Sequence, residues 1–90
     1  MGIVRKSYEV TTVPSGLDDA VLSINPTTCF FSVETQDIRF SYDGTDPSSS
    51  EGHLQFAGTT ASFTRSAHIR NLRWVSVTGT AKVTITAEGP

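Results

Sequence analysis

Two segments of the chain alternate apolar and polar residues without a break. In residues 38–42 the apolar residues are Ile38, Phe40 and Tyr42, with a polar residue between each pair. Residues 81–87 have the same period, with alanine, valine or isoleucine at every other position. A period of two is that of a β-strand with one face on a hydrophobic core. Each segment therefore predicts a half-buried strand.

Turn-forming residues separate the segments nearer the N-terminus. Residues 7–13 predict a first strand, and Pro14, Ser15 and Gly16 predict a turn after it, because proline removes a backbone donor and glycine permits a tight reversal. Residues 17–24 fit either a helical turn or a strand. Their two aspartates suit a turn, whereas their apolar positions do not settle the period.

The middle of the chain predicts a hairpin followed by a long loop. Thr28–Glu34 is dense in apolar residues, and only residues 35–37 separate it from the alternating segment 38–42. So short a connection predicts that the two strands are neighbours in one sheet. Asp-Gly, Asp-Pro and a run of three serines then break the pattern, which predicts a polar loop over residues 43–52.

Three more strands are predicted in the second half of the chain. Residues 53–56 and 61–64 are short apolar segments on either side of a glycine-containing turn. Residues 69–77 predict a long central strand, in which the apolar positions change parity between Trp74 and Val75. That change predicts either burial on both faces of the strand or a β-bulge.

These elements and the composition predict an all-β fold. The 90 residues include thirteen threonines, eleven serines and one methionine, which is typical of strands and turns rather than helices. Seven or eight short strands predict a small antiparallel β-sandwich or jelly roll, and a closed barrel stays open as an alternative. We expect a single domain over residues 1–90, with residues 1–6 as a candidate flexible N-terminal arm.

The net charge of −2 hides an uneven distribution along the chain. Residues 1–51 carry eight acidic and three basic residues, whereas residues 52–87 carry four basic residues and no acidic one. Two interpretations follow. The halves form opposite charged faces that meet a second copy or a charged partner, or they interleave in the fold and their charges cancel.

The single cysteine and the N-terminal sequence bear on the compartment. Cys29 has no second cysteine to pair with, and its neighbours Phe30 and Phe31 predict a buried, unreactive thiol. No apolar run follows Arg5 and Lys6, so we expect neither a signal peptide nor a membrane span. These features predict folding in a cytoplasm.

The sequence offers no recognisable catalytic motif. His53 and His68 have no cysteine or histidine at a metal-ligand spacing, and no serine lies in a nucleophile-elbow pattern. The glycines near Gly44 and Gly58 lack the spacing of a phosphate-binding loop. We therefore expect a protein that is not an enzyme and that has no cofactor and no resident metal ion.

One turn has the oxygen atoms that a calcium ion would need. Asp43, Thr45, Asp46 and Glu51 are close in sequence, and calcium accepts several oxygen ligands at loose geometry. Aspartates before glycine more often accept hydrogen bonds within the turn itself. Because the full calcium-loop pattern is missing, we favour the turn interpretation.

Basic residues surround the only tryptophan. Arg65, His68, Arg70 and Arg73 lie near Trp74, a combination that would suit stacking and charge contacts with a nucleic acid or a glycan. The isoelectric point near 5.5 argues against a dedicated nucleic-acid-binding protein. We favour a core tryptophan with solvated arginines, and no nucleic-acid partner.

The order of motifs over residues 36–87 resembles that of small virion proteins of tailed bacteriophages. The features shared with those proteins are a strand, an Asp-Gly-Thr-x-Pro turn, a Gly-His pair and a closing Gly-Thr-Ala strand. Here they are Ile38 to Pro47, Glu51-Gly52-His53, Ala57-Gly58, Ile69 to Trp74 and Gly79 to Thr86.

This resemblance implies a β-sandwich or jelly roll that binds the outside of a phage head as a decoration (cement) protein, commonly as a trimer. The partner would be the major capsid protein or another virion protein, and the location would be the virion, assembled in the host cytoplasm. Related phage proteins serve instead at the neck, tail or fibre. In this interpretation the candidate partner-binding residues are Asp43, Asp46, Glu51, Arg70 and Arg73.

A second resemblance supports a different function. The turn at residues 42–47 is similar to the Tyr-x-x-Asp-Gly-x-x-Pro turn of immunoglobulin-like modules appended to chitin-degrading enzymes. A carbohydrate- or receptor-binding module would present Trp74 and Tyr42 as exposed stacking platforms. Exposure of Trp74 therefore discriminates between a structural and a sugar-binding function.

Overall fold

The computed structural model describes residues 2–90 and consists of two four-stranded antiparallel sheets packed against each other. This confirms the all-β sandwich predicted from the sequence. The strands in chain order are β1 (Gly2–Val10), β2 (Ser15–Gly16), β3 (Thr28–Glu34), β4 (Ile38–Ser41), β5 (His53–Gln55), β6 (Thr60–Phe63), β7 (Arg73–Ser76) and β8 (Ala81–Gly89), and the short helices are α1 (Asp19–Leu22) and α2 (Ser66–Arg70).

The strand order is that of a jelly roll. The first sheet, sheet A, has the order β1-β8-β3-β6, and the second, sheet B, has the order β2-β7-β4-β5. First pairs with last, second with seventh, third with sixth and fourth with fifth. This is the pairing of one long antiparallel ribbon rolled up into two sheets.

Inward-facing residues of both sheets meet in an aromatic core. The alternation predicted for the last strand is present, since the alanine, valine and isoleucine side chains of β8 are fully buried. Trp74 of β7 lies at the centre, with ring centroids 5.6 Å from Tyr8 and 6.1 Å from Phe31. Phe31 of sheet A also meets Phe40 of sheet B edge to face at 5.9 Å. These contacts across the sandwich hold the two sheets together.

The prediction of a flexible arm over residues 1–6 is wrong for residues 2–6. They belong to β1, where Gly2 lies opposite Gly89 and Lys6 opposite Ile85 of β8; Met1 lies outside the described residues. The alternating pattern of β1 is not recognisable in the sequence because Lys6, a charged residue, occupies an inward position, where its ammonium donates to Asp18. Tyr8 also donates to Asp18, at 2.9 Å, and burial raises the pKa of Tyr8 to about 12.

The predicted hairpin between the third and fourth strands is also wrong. β3 lies in sheet A and β4 in sheet B, so residues 35–37 cross from one sheet to the other. β3 is already paired with β6 and β8, and β4 with β5 and β7, so neither strand has a free edge for the other. Thr35 adopts a φ of 71°, a left-handed conformation that belongs to this crossing.

The predicted long strand over residues 69–77 is shorter and starts later. Ile69 lies in α2, and the strand begins at Arg73. Ile69 and Leu72 are both buried, and their spacing of three is that of a helical turn. The change of parity does correspond to burial on both faces, because Trp74 faces the core and Val75, which is 1% exposed, lies outside the core cluster.

The remaining predictions concern the segment before β3 and the charges. The turn predicted at residues 14–16 contains the two-residue strand β2, and residues 17–24 include the helix α1.

The acidic and basic halves interleave, since β8 lies between β1 and β3, and Lys82 faces Glu34 with 3.9 Å between their charged groups. No helix within residues 2–90 has the length and apolar character needed to cross a membrane.

Candidate functional site: an aromatic groove

A groove of about 380 Å³ opens along one side of the sandwich, between the edge strands β5 and β6. These two strands belong to different sheets and leave the side between them open. We call this surface the aromatic groove. Its lining residues are Phe40, Tyr42, His53, Leu54, Gln55, Ala61, Ser62, Phe63 and His68.

Tyr42 lies at the centre of the aromatic groove, with four rings around it, of which that of Phe40 is the most distant, at 6.4 Å. The imidazole of His53 stacks on Tyr42 at a centroid distance of 5.5 Å and an interplanar angle of 18°. His68 lies 4.8 Å away and Phe63 5.6 Å away. Tyr42 is 38% exposed, so part of its ring is free to contact a ligand or partner.

Each ring reaches the aromatic groove from a different element. Phe40 points inward from β4, and the antiparallel pairing of β4 with β5 places His53 directly opposite it. Phe63 comes from β6, and α2 buries Ile69 while it carries His68 to the rim of the groove. The floor of the groove is continuous with the core, because Phe63 stacks on Phe31 at 5.9 Å.

The aromatic groove offers surfaces for stacking and apolar contact. Within residues 2–90, neither imidazole forms a hydrogen bond to a hydroxyl or a carboxylate, and no group of three or more His, Cys, Asp or Glu side chains comes together. Leu54, which is 41% exposed, adds an aliphatic surface at the rim. Such a site binds through shape and ring contacts.

The polar loop over residues 43–52 is folded onto the outer face of sheet B, and we call it the covering loop. Arg39 of β4 holds it by donating from Nε to the Ser49 carbonyl oxygen at 3.1 Å and from a terminal nitrogen to the Gly52 carbonyl oxygen at 2.9 Å. Within the covering loop, Pro47 is buried. The register places Arg39 opposite Val75, so the covering loop lies over the outer side of β7.

The predicted partner-binding residues of the covering loop have mainly structural contacts. Asp43 accepts hydrogen bonds from the Thr45 hydroxyl at 2.6 Å and the Thr45 backbone N–H at 3.1 Å, and these bonds lower the pKa of Asp43. Asp46 accepts from Arg73 Nε at 2.9 Å. Asp43 and Glu51 are both exposed and have no ion-pair partner among residues 2–90, and Glu51 also forms no side-chain hydrogen bond there.

The two predicted arginines lie in different places. Arg73 is in β7 and anchors the covering loop through Asp46. Arg70 is in α2, where it donates to Asn25 Oδ1 at 2.6 Å and so ties α2 to the segment after α1. Of the five predicted residues, the structure therefore brings together only Asp46 and Arg73.

The oxygen atoms considered as calcium ligands do not form a site, because no three carboxylate, imidazole or thiol groups come together within residues 2–90. Asp43 is oriented towards Thr45 within its own turn, and Asp46 towards Arg73. The hydrogen bonds of Asp43 are those of the turn interpretation.

The sequence identified only part of the aromatic groove. Tyr42 was singled out as a stacking platform, but its partners His53, His68 and Phe63 were not. The available signal was the continuation of the alternating pattern from Phe40 to Tyr42 beyond the end of β4. Trp74, the other proposed platform, is fully buried, and its indole Nε1 has no hydrogen-bond partner among residues 2–90.

No family model matches the chain, and neither the curated proteins nor the solved structures contain a match to it. The features of the chain that bear on its function are therefore the jelly roll, the aromatic groove and the pattern of residues over 36–87.

Proposed function

We propose that the chain is a structural protein of a tailed-phage virion, which binds the outer surface of the head and stabilises the shell by bridging subunits of the major capsid protein. The observation that carries the proposal is the aromatic groove, an apolar surface continuous with the core of a small jelly roll. Its support from the sequence is the resemblance of residues 36–87 to such proteins.

Exposed apolar side chains near the groove support a role in binding a protein. Leu54 lies in β5, and Phe56, which is 57% exposed, follows directly after this strand. A domain of 90 residues buries a smaller fraction of its surface than a larger domain does, so some of its apolar side chains remain exposed unless a partner covers them. Apolar groups left together at one edge are typical of a surface that a protein partner covers.

A decoration protein of this kind needs no catalytic group. Each bound copy would bury its groove on the capsid, and the binding free energy would exist only in the assembled shell. Because several copies act on one particle, small contributions per copy add up to a large resistance to disruption. The resemblance implies a trimer, and the mass of the protein in solution tests that prediction.

The test uses expanded and unexpanded heads of the phage that encodes the chain. We expect saturable co-sedimentation with expanded heads, at a copy number that matches the capsid symmetry, and a rise in the temperature at which DNA is released. Leu54→Ser in the aromatic groove should weaken binding, whereas Val13→Ser should not, because Val13 is 69% exposed but lies between β1 and β2, at the opposite edge of the sandwich.

Two results would argue against a head protein. Absence of binding to any head would contradict the proposal outright. Binding of only a few copies per particle, confined to whole virions with tails, would place the protein at the neck, tail or fibre instead.

A carbohydrate-binding function is the second candidate, and the half-exposed ring of Tyr42 favours it. Tyrosine flanked by imidazoles provides a stacking face with polar atoms beside it, as sugar rings require. Calorimetric titration with chitin oligomers and host surface glycans tests this function. A signal lost in Tyr42→Ala and kept in Val13→Ala would support it, and absence of heat with every glycan would reject it.

A further inference from the structure

The edges of the two sheets differ greatly in length. Three of the four edge strands are short, with two residues in β2, three in β5 and four in β6. The fourth, β1, has nine residues and pairs with β8 in continuous register from Gly2 to Val10. Short strands and bulges are the usual protection of a sheet edge, and β1 has neither.

The backbone of β1 is unpaired on its outer side. Apart from the ladder with β8, no backbone N–H or C=O of residues 2–10 forms a hydrogen bond within residues 2–90. In an antiparallel ladder every second residue directs its N–H and C=O away from the neighbouring strand. About half of β1 therefore presents donors and acceptors that another strand would satisfy.

The charged side chains of β1 indicate which strand is suited to pair with its free edge. Arg5 and Glu9 are both exposed on the outer face of sheet A, and neither has an ion-pair partner among residues 2–90. The inward charge of Lys6, which would otherwise protect the edge, is already neutralised by Asp18. Suppose that β1 of a second copy lies antiparallel to this strand, with the two Ser7 residues opposite each other; we call this pairing centred on Ser7. The Arg5 of each copy then lies opposite the Glu9 of the other, which makes two pairs of opposite charge.

The other registers are less favourable. Residues opposite each other in a sheet must lie on the same face, which leaves only pairings centred on a residue. A centre at Arg5, Lys6 or Glu9 sets like charges opposite each other, which destabilises a pair of strands. A centre at Tyr8 leaves Arg5 opposite Thr11, without a charge to meet.

We propose that two copies of this chain associate through β1, antiparallel and centred on Ser7, so that the two A sheets become one eight-stranded sheet. The pairing covers residues 4–10 of each copy, with Val4 opposite Val10. It does not use the aromatic groove and does not depend on binding to a phage head. It replaces the trimer that the resemblance implies with a dimer, so the mass in solution decides between the two.

The first test is the mass in solution, by light scattering after size exclusion. We expect about twice the chain mass of 9.7 kDa, falling to one chain on dilution. Arg5→Glu and Glu9→Arg should each weaken association at least tenfold, since each creates two like-charge pairs, and the double variant Arg5→Glu/Glu9→Arg should restore it. Circular dichroism and thermal unfolding of each variant show that the fold is kept.

Cross-linking tests the register directly. In the proposed pairing the two Ser7 Cα atoms lie about 5 Å apart, within reach of a disulfide, whereas the two Arg5 Cα atoms lie about 14 Å apart. Oxidised Ser7→Cys should therefore form a covalent dimer, and Arg5→Cys, the control, should not. A monomer at all concentrations, a mass of three chains, equal cross-linking by both variants, or association unchanged by the charge reversals would each overturn the inference.

Discussion

The fit of the covering loop on sheet B is testable at Gly52. This residue has a φ of +117°, and a Cβ added there would lie 2.9 Å from Pro47 Cβ and 3.2 Å from the Phe40 carbonyl oxygen. Pro47 is buried and Phe40 belongs to β4, so neither atom has free space to move into. Gly52→Ala should therefore impose both backbone strain and an overlap that displaces the covering loop.

Gly58 supplies a matched control. Its φ of +83° is also unfavourable for alanine, but a Cβ there meets nothing within 4 Å. Gly58→Ala should cost about 1–2 kcal/mol of the free energy of unfolding from backbone strain alone. Gly52→Ala should cost about 1–3 kcal/mol more, the usual penalty of overpacking.

Urea unfolding followed by the fluorescence of Trp74 measures both variants on the same scale. For a chain of this size, each 1 kcal/mol corresponds to about 4–8 °C in Tm, so thermal unfolding provides a second measure. If Gly52→Ala is no less stable than Gly58→Ala, within about 0.5 kcal/mol, the covering loop is not packed against sheet B in the way described.

Three further predictions follow from the core and from β1. The emission of Trp74 should be blue-shifted and protected from acrylamide because the indole is buried; red-shifted, quenchable emission would contradict the packing of β7. Burial raises the pKa of Cys29 to about 11, so the thiol should react with a disulfide reagent at pH 8 only after unfolding in urea, and fast reaction of the folded protein would contradict this. The hydrogen bond from Lys6, followed by that from Tyr8, lowers the pKa of Asp18. Its contribution to stability should be present above the unfolded-state pKa of about 4 and lost as pH falls through the lower folded-state value. The urea midpoint should thus fall less between pH 5 and pH 2 in Asp18→Asn than in the wild type, and equal slopes would refute the contribution.

The strands that could be predicted from the sequence are those with a regular alternation of apolar and polar residues. β8 and β4 were predicted because each has one fully apolar face and a polar one. The first half of β1 was missed because Lys6 occupies an inward position, and only the distant Asp18 makes that acceptable. α2 was missed because a helix of five residues has too few apolar positions to establish a helical period.

The aromatic groove was harder to predict than the strands, and for a different reason. Its rings come from β4, β5, β6 and α2, and a sequence pattern does not state which strands will lie at the open edges of two sheets. The position of the covering loop was hard to predict for the same reason, since the hydrogen bond that anchors it joins Asp46 and Arg73, which are 27 positions apart. Contacts of this kind depend on topology, which local periodicity does not encode.

The two surfaces that we propose for binding lie at opposite ends of the molecule. In sheet A, β1 forms one edge and β6, which borders the aromatic groove, forms the other. Pairing through β1 would therefore leave both grooves free at the two ends of an eight-stranded sheet. Seven strand spacings separate those ends, about 34 Å.

This arrangement gives dimerisation a consequence for binding. Two grooves on one rigid sheet would engage two sites of a repeating surface at once, and the second contact would form at a high effective concentration. A repeat that matches the separation would be bound far more tightly than an isolated subunit, and a shell with a different spacing would lose that advantage. Selectivity for one state of a capsid would then follow from the distance between grooves, without any difference in the contacts that each groove makes.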